Sequence, residues 1–125
     1  MSDFEKTLVA LLKADSPLAS LISGRLWPDQ VPADIARPVT TPYTIFYLFA
    51  NPVIQNMHGD VVVSKPRIQF STYAEHYGEA KAVTDALKTA LATGSWVVVL
   101  EDERAPVESV SGLYRRDLDT RIPHV

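Results

Sequence analysis

Residues 43–74 leave this chain few options. The run Tyr-Thr-Ile-Phe-Tyr-Leu-Phe at 43–49 is β-branched and aromatic throughout, fenced by Pro42 before it and Asn51-Pro52 after it. Such a run reads as a strand. Residues 67–73 then alternate, with Ile68, Phe70 and Thr72 on one face and Arg67, Gln69, Ser71 and Tyr73 on the other. Period-two alternation predicts a strand with one buried face. Between the two, residues 53–57 and 61–63 flank His58-Gly59-Asp60, where Gly59 is free to take the positive φ of a tight turn. A hairpin is predicted there, with Lys65-Pro66 making residues 61–64 a bent or edge extension. Short connections between successive strands favour antiparallel pairing.

The flanks are helical. Ser2 and Glu5 have capping-box spacing, and Phe4, Leu8, Leu11 and Leu12 form one apolar stripe, so a helix is predicted over 2–13. In Asp15-Ser16-Pro17, Ser16 fits an N-cap and Pro17 a first helical residue, giving one or two turns over 17–23 before Gly24. The main helix is predicted over 75–93, where Ala80, Val83, Leu87, Ala90 and Leu91 keep helical spacing and Gly94 follows. Leu8, Leu12, Phe70, Val83 and Leu87 are assigned to the core.

Residues 25–42 hold four prolines, Pro28, Pro32, Pro38 and Pro42, each removing a backbone donor. Leu26 and Trp27 read as a brief strand or anchor. The rest is long for a structureless loop, which points to contacts outside its own domain. Later, residues 96–100 read as a strand, Glu101-Asp102-Glu103-Arg104 as a charged turn, and 112–122 as a last strand. In that strand Tyr114, Arg116, Leu118, Thr120 and Ile122 share one face; Leu113, Arg115, Asp117, Asp119 and Arg121 share the other. Charge on both faces of a strand is poorly explained by a monomer core. The expected architecture is α+β in one domain over 1–125: a mainly antiparallel sheet of about four strands, with two helices packed on one face.

Composition removes whole classes of function. With 125 residues and no cysteine, the chain can bury a core without disulfides, and thiolate catalysis and cysteine-held metals are excluded. Its apolar runs are too short for a membrane helix, and Met1-Ser2-Asp3-Phe4-Glu5-Lys6 is not a secretory leader. A net charge of -3 gives no basic footprint for nucleic acid, although Arg67, Arg115, Arg116 and Arg121 with Tyr73, Tyr77 and Tyr114 could form a stacking stripe. His58, His76 and His124 lack metal-site spacing. Asp117 and Asp119 share a face, as acid–base chemistry requires, but Arg115 and Arg121 share it too, so interleaved ion pairs are the simpler account. Neither a phosphate loop nor a nucleophile elbow is present. No catalytic residue, metal site or cofactor is expected.

Several short pieces, taken in order, carry a family resemblance. They are Asp15-Ser16-Pro17-Leu18-Ala19-Ser20-Leu21, Gly24-Arg25-Leu26-Trp27-Pro28, Pro42-Tyr43-Thr44-Ile45-Phe46-Tyr47, and Arg67-Ile68-Gln69-Phe70-Ser71-Thr72-Tyr73-Ala74. Gly59, Tyr77-Gly78-Glu79-Ala80, Ala86-Leu87 and Leu113-Tyr114-Arg115-Arg116-Asp117-Leu118-Asp119 complete the pattern. Together they resemble the tail completion, or tail terminator, proteins of long-tailed bacteriophages and gene transfer agents.

The resemblance implies a non-enzymatic virion part. Its expected form is a homo-oligomeric ring, usually a hexamer, that caps the tail tube, ends tube polymerisation and joins the tail to the head connector. The expected partners are the tail tube protein, the connector or stopper protein, and duplex DNA that passes through the lumen without sequence-specific binding; no membrane is expected. The place implied is the head–tail interface of the virion, after assembly in the host cytoplasm. A ring needs heterologous contacts between different patches. Tyr114, Arg115, Arg116 and Arg121 are the candidate subunit contacts. Asn56, Met57, His58, Gly59 and Asp60 are the candidate tube or neighbouring-ring contact, and Glu101, Asp102 and Glu103 are expected to face the lumen or a neighbouring ring. Two other readings remain open: another head–tail joining part, such as a stopper or adaptor, and a host-side module that binds peptide or nucleic acid through its sheet.

Overall fold

A computed structural model describes residues 3–106 and 112–124. Helix α1 spans Asp3–Ala14, with Asp3 and Glu5 in its first turn and Lys13 in its last, the polarity that the helix dipole favours. Leu8 and Leu12 are its buried residues, as expected. Ser2 of the expected capping box lies outside the described residues. Helix α2 spans Ser16–Ile22, and its N-cap is Asp15 rather than Ser16: the Asp15 carboxylate accepts the Leu18 N–H at 3.0 Å. That cap leaves Pro17 in the first turn, where its missing N–H costs nothing. The chain stops the helix by going left-handed at Ser23 (φ 51°) and Gly24 (φ 76°).

Strand β1 is Leu26–Pro28, β2 Tyr43–Ala50, β3 Val53–Gln55, β4 Val61–Ser64 and β5 Arg67–Ala74. Helix α3 follows at Tyr77–Ala92, then β6 at Val99–Arg104 and β7 at Tyr114–Arg121. The main sheet runs β1-β2-β5-β7-β6, antiparallel except for the β1–β2 pair. β3 and β4 form a separate two-stranded ribbon. Phe46, Phe70 and Leu118 face one another across β2, β5 and β7, and join Leu8, Leu18 and Leu87 in one core. All five residues assigned to the core from the sequence are at most 1% exposed. The helices therefore cover one face of the sheet, because only that face offers them an unbroken apolar surface.

The expectation of about four strands and two helices is corrected to a five-stranded sheet, a two-stranded ribbon and three helices. Three causes account for the difference. The Asp15 cap makes a full helix of what reads as one or two turns. Leu26–Pro28 pairs in parallel with β2 and becomes a true edge strand. The expected charged turn at 101–104 is strand instead: β6 begins at Val99 and runs through Arg104, with Asp102 opposite Asp119 and Arg104 opposite Asp117. Trp96 and Val98 pack against the core rather than starting that strand.

The ribbon continues the β2–β5 hairpin beyond a register shift at Leu48/Ala50, as an arm. Asn56 organises its tip: its side-chain oxygen accepts the N–H groups of His58 (2.9 Å) and Asp60 (3.0 Å). Gly59 takes φ 85°, as the turn requires. At its base the arm is held by a two-way backbone bridge between Ser64 and His124, both bonds at 2.8 Å.

Candidate assembly interface

Pairing register decides which side chains meet on the face of the sheet away from the core, since directly opposed residues point the same way. One row there reads Tyr43, Tyr73, Arg115; the next Ile45, Ser71, Asp117, Arg104; the next Tyr47, Gln69, Asp119, Asp102. The last reads Ala50, Arg67, Arg121, Val99. Tyr43 and Tyr73 stack at 5.1 Å, and the Arg115 guanidinium lies 5.8 Å from the Tyr73 ring. Burial pushes the Tyr73 phenol above its ordinary pKa, against the pull of Arg115.

Asp117 is only 2% exposed, although it lies on the face away from the core. Arg115 grips it with both prongs, Nε to Oδ1 at 2.9 Å and Nη2 to Oδ2 at 3.0 Å. Arg104 is the hub of the edge. It donates to Asp119, to Asp102 (2.8 Å) and to Gln69 (3.0 Å), and lies 3.8 Å from Asp117. Those carboxylates, Asp119 first, hold its guanidinium above the ordinary value. Arg115 is raised likewise by Asp117.

On the helix side, Glu103 sits between Lys88 of α3 and Arg116 of β7, with the Arg116 bond at 2.8 Å. The Lys88 ammonium, reinforced by Arg116, draws the Glu103 carboxyl below its usual 4.5. Arg116 also lies 5.9 Å from the Tyr77 ring, and Tyr77 meets Tyr114 edge to face at 6.2 Å. Tyr77 and Tyr114, each about half exposed, line a cleft of about 400 Å³ together with Ala80, Leu113 and Arg116.

The four expected subunit-contact residues thus divide between two faces. Tyr114 and Arg116 stand on the helix side, Arg115 and Arg121 on the open side, and Arg115 and Arg116 are each paired within the chain. Glu101, Asp102 and Glu103 are likewise paired, with Arg67, Arg104, and Lys88 plus Arg116 respectively. Arg121 differs. Its Nε is buried with no hydrogen-bond acceptor, and among the described residues its guanidinium has no carboxylate partner. Its register neighbour Arg67 lies 5.1 Å from the Phe49 ring and 3.3 Å from Glu101.

The arm is a different kind of surface. Leu48, Phe49, Val53, Ile54 and Val61 are 39–54% exposed, and Met57 at the tip is 97% exposed. The expected contact residues 56–60 all lie at that tip. The roles of Arg104, Lys88 and Phe49 were not legible in sequence. The acidic run before Arg104 was the available signal, but its partners depend on register. Among the described residues, no group of acids and histidines could hold a metal ion, and no helix is long and apolar enough to cross a membrane.

The family model described as tail completion protein gp17 matches residues 6–125. No curated protein matches the sequence. Among solved structures, a chain in the virion of a native gene transfer agent particle superposes with a TM-score of 0.69 at 21% identity, covering 93% of this chain and 90% of that one. The gp17 protein of bacteriophage SPP1 superposes with a TM-score of 0.58 at 13% identity, covering 97% of this chain and 88% of that one. At those identities the likeness is one of fold.

Proposed function

The chain belongs to the tail completion protein gp17 family, structural parts of the phage tail rather than enzymes, and from that premise we propose that it forms a ring, hexameric in this reading, that caps the tail tube. The ring ends tube polymerisation and joins the tail to the head connector, and DNA passes through its lumen without sequence-specific contacts. The observation that carries this reading is the family match over residues 6–125. Surface chemistry supports it, because heterologous ring contacts need two unlike patches on one chain. A paired charge lattice at one edge of the sheet and an apolar arm are unlike in that sense.

In this reading Tyr114, Arg115, Arg116 and Arg121 lie at subunit contacts. The tip residues Asn56, Met57, His58, Gly59 and Asp60 meet the tube or a neighbouring ring. Glu101, Asp102 and Glu103 face the lumen or the next ring, where the cations that touch them, Arg67, Arg104, Lys88 and Arg116, are held by carboxylates rather than offered to DNA phosphates.

The test is native mass across a concentration series, followed by imaging after mixing with tail tubes assembled without this protein. A six-copy species, or a ring at one end of each tube, is expected. Protein that stays monomeric and leaves tubes uncapped would overturn the reading.

A further inference from the structure

We infer that the base of the arm is a docking site for a second copy of this chain, with Arg121 donating to a carboxylate on the segment that follows β1 of that copy. The inference rests on the ring reading and specifies which patch meets which. Every other arginine in the chain has an acceptor: Arg104, Arg115, Arg116 and Arg67 hold carboxylates, Arg25 the Pro42 carbonyl, and Arg37 the Ile35 carbonyl. Among the described residues Arg121 alone is left with its Nε buried and unsatisfied. With Nε buried and unsatisfied, nothing within the described chain neutralises this guanidinium, so a carboxylate brought from outside to its remaining N–H groups has most to gain here. The site is also net positive, because Arg67 and Arg121 stand in register with one carboxylate, Glu101, paired to Arg67.

Apolar surface surrounds it. Phe49 lies against Arg67, and Val53, Ile54 and Val61 of the arm leave about half their surface in water. A lone two-stranded ribbon is marginal in water, so an arm with this composition gains from being covered. Arginine is enriched at interface hot spots, where the surrounding contacts exclude water.

The complementary patch lies beyond β1, with β2 and β5 between it and Arg121. β1 is the edge strand opposite β6, and Asp29 follows it directly. Asp29 and Asp34 are exposed and make no ion pair among the described residues. Residues 29–42 form neither helix nor strand, and their prolines Pro32, Pro38 and Pro42 limit the freedom lost on docking. Two separate patches of opposite charge on one chain fit a head-to-tail contact that repeats around a ring. With a net charge of -3, the chain supplies carboxylates far more readily than it would attract phosphate.

The test uses full-length protein in a concentration series read by native mass, as wild type, R121E, R121Q, D29N/D34K and the combination R121E/D29N/D34K. Asparagine is chosen at 29 because it tolerates the left-handed backbone there (φ 64°). R121E and D29N/D34K should each raise the concentration needed for ring formation about a hundredfold, and R121Q about tenfold. The combination should recover most of the loss, with monomer melting unchanged within about 2 °C. Assembly of R121E at wild-type concentrations, or a combination no better than its parents, overturns the inference and leaves the ring reading standing. Normal rings of R121E that no longer retain duplex DNA also overturn it, and would assign the guanidinium to phosphate. A wild type that stays monomeric at every concentration overturns the ring reading, and the docking inference with it.

Discussion

Arg104 on β6 reaches three carboxylates and a glutamine, whereas Ile54 on β3 leaves about half its surface in water. Both lie in short strands outside the core, and from sequence the first reads as part of a charged turn and the second as one flank of a hairpin. The structure gives them opposite economies. At the β6–β7 edge nearly every charge is answered from within the chain, so that edge can be stable before any partner arrives. On the arm the apolar side chains have only a narrow ribbon beneath them. A charge pattern that looks unsatisfied along one strand is satisfied across strands, while apolar residues on a two-stranded arm gain nothing from the alternation that buries them in a larger sheet.

The sharpest way to break this contrast is Arg115→Ala. It strips a bidentate partner from a carboxylate that is 2% exposed, and should destabilise the isolated monomer by about 3–5 kcal/mol in urea unfolding. A change below about 1 kcal/mol would mean that Asp117 is held mainly by Arg104, or that the lattice matters only after assembly.

A smaller effect is expected from acid. Glu103 has a folded pKa below its ordinary 4.5, so the folded state releases that proton more readily than the unfolded state does. The stability it contributes is fully present above 4.5 and is lost as pH falls through the lower folded value. Glu103→Gln should cost about 1 kcal/mol at neutral pH and flatten the acid limb of the stability profile below pH 4.5. An unchanged acid limb would remove Lys88–Glu103–Arg116 from the account of the fold.

The smallest effect on folding belongs to the arm. Val53→Ser with Ile54→Ser should shift monomer stability by no more than about 0.5 kcal/mol, because neither side chain is in the core. The same pair should weaken assembly, read by native mass against wild type. A monomer destabilised by the double change would show that the arm is already packed within its own chain.

Much of this was legible along the chain. The stripe Leu8 and Leu12, the alternation Ile68 and Phe70, and the helical spacing of Val83 and Leu87 each depend on a period that a single element carries in itself. The hairpin tip was legible for the same reason, since Gly59 and Asn56 act over a few residues. Asp15 was missed as the cap because Ser16 and Asp15 are both good caps, and the choice between them turns on where the first turn begins.

The fate of residues 99–104 was not a local matter. Glu-Asp-Glu-Arg has weak strand preference and reads as a turn, yet it pairs with β7 because Arg104 and Glu103 find their counter-charges there. Along the chain, then, the two long helices, the central strands, the core and the family resemblance could be read, all of which rest on short-range periodicity or on motif order. Tertiary structure alone decided which arginines are spent within the chain and which one, Arg121, is left without an acceptor among the described residues, because cross-strand register sets charge pairing and register is a property of two strands at once.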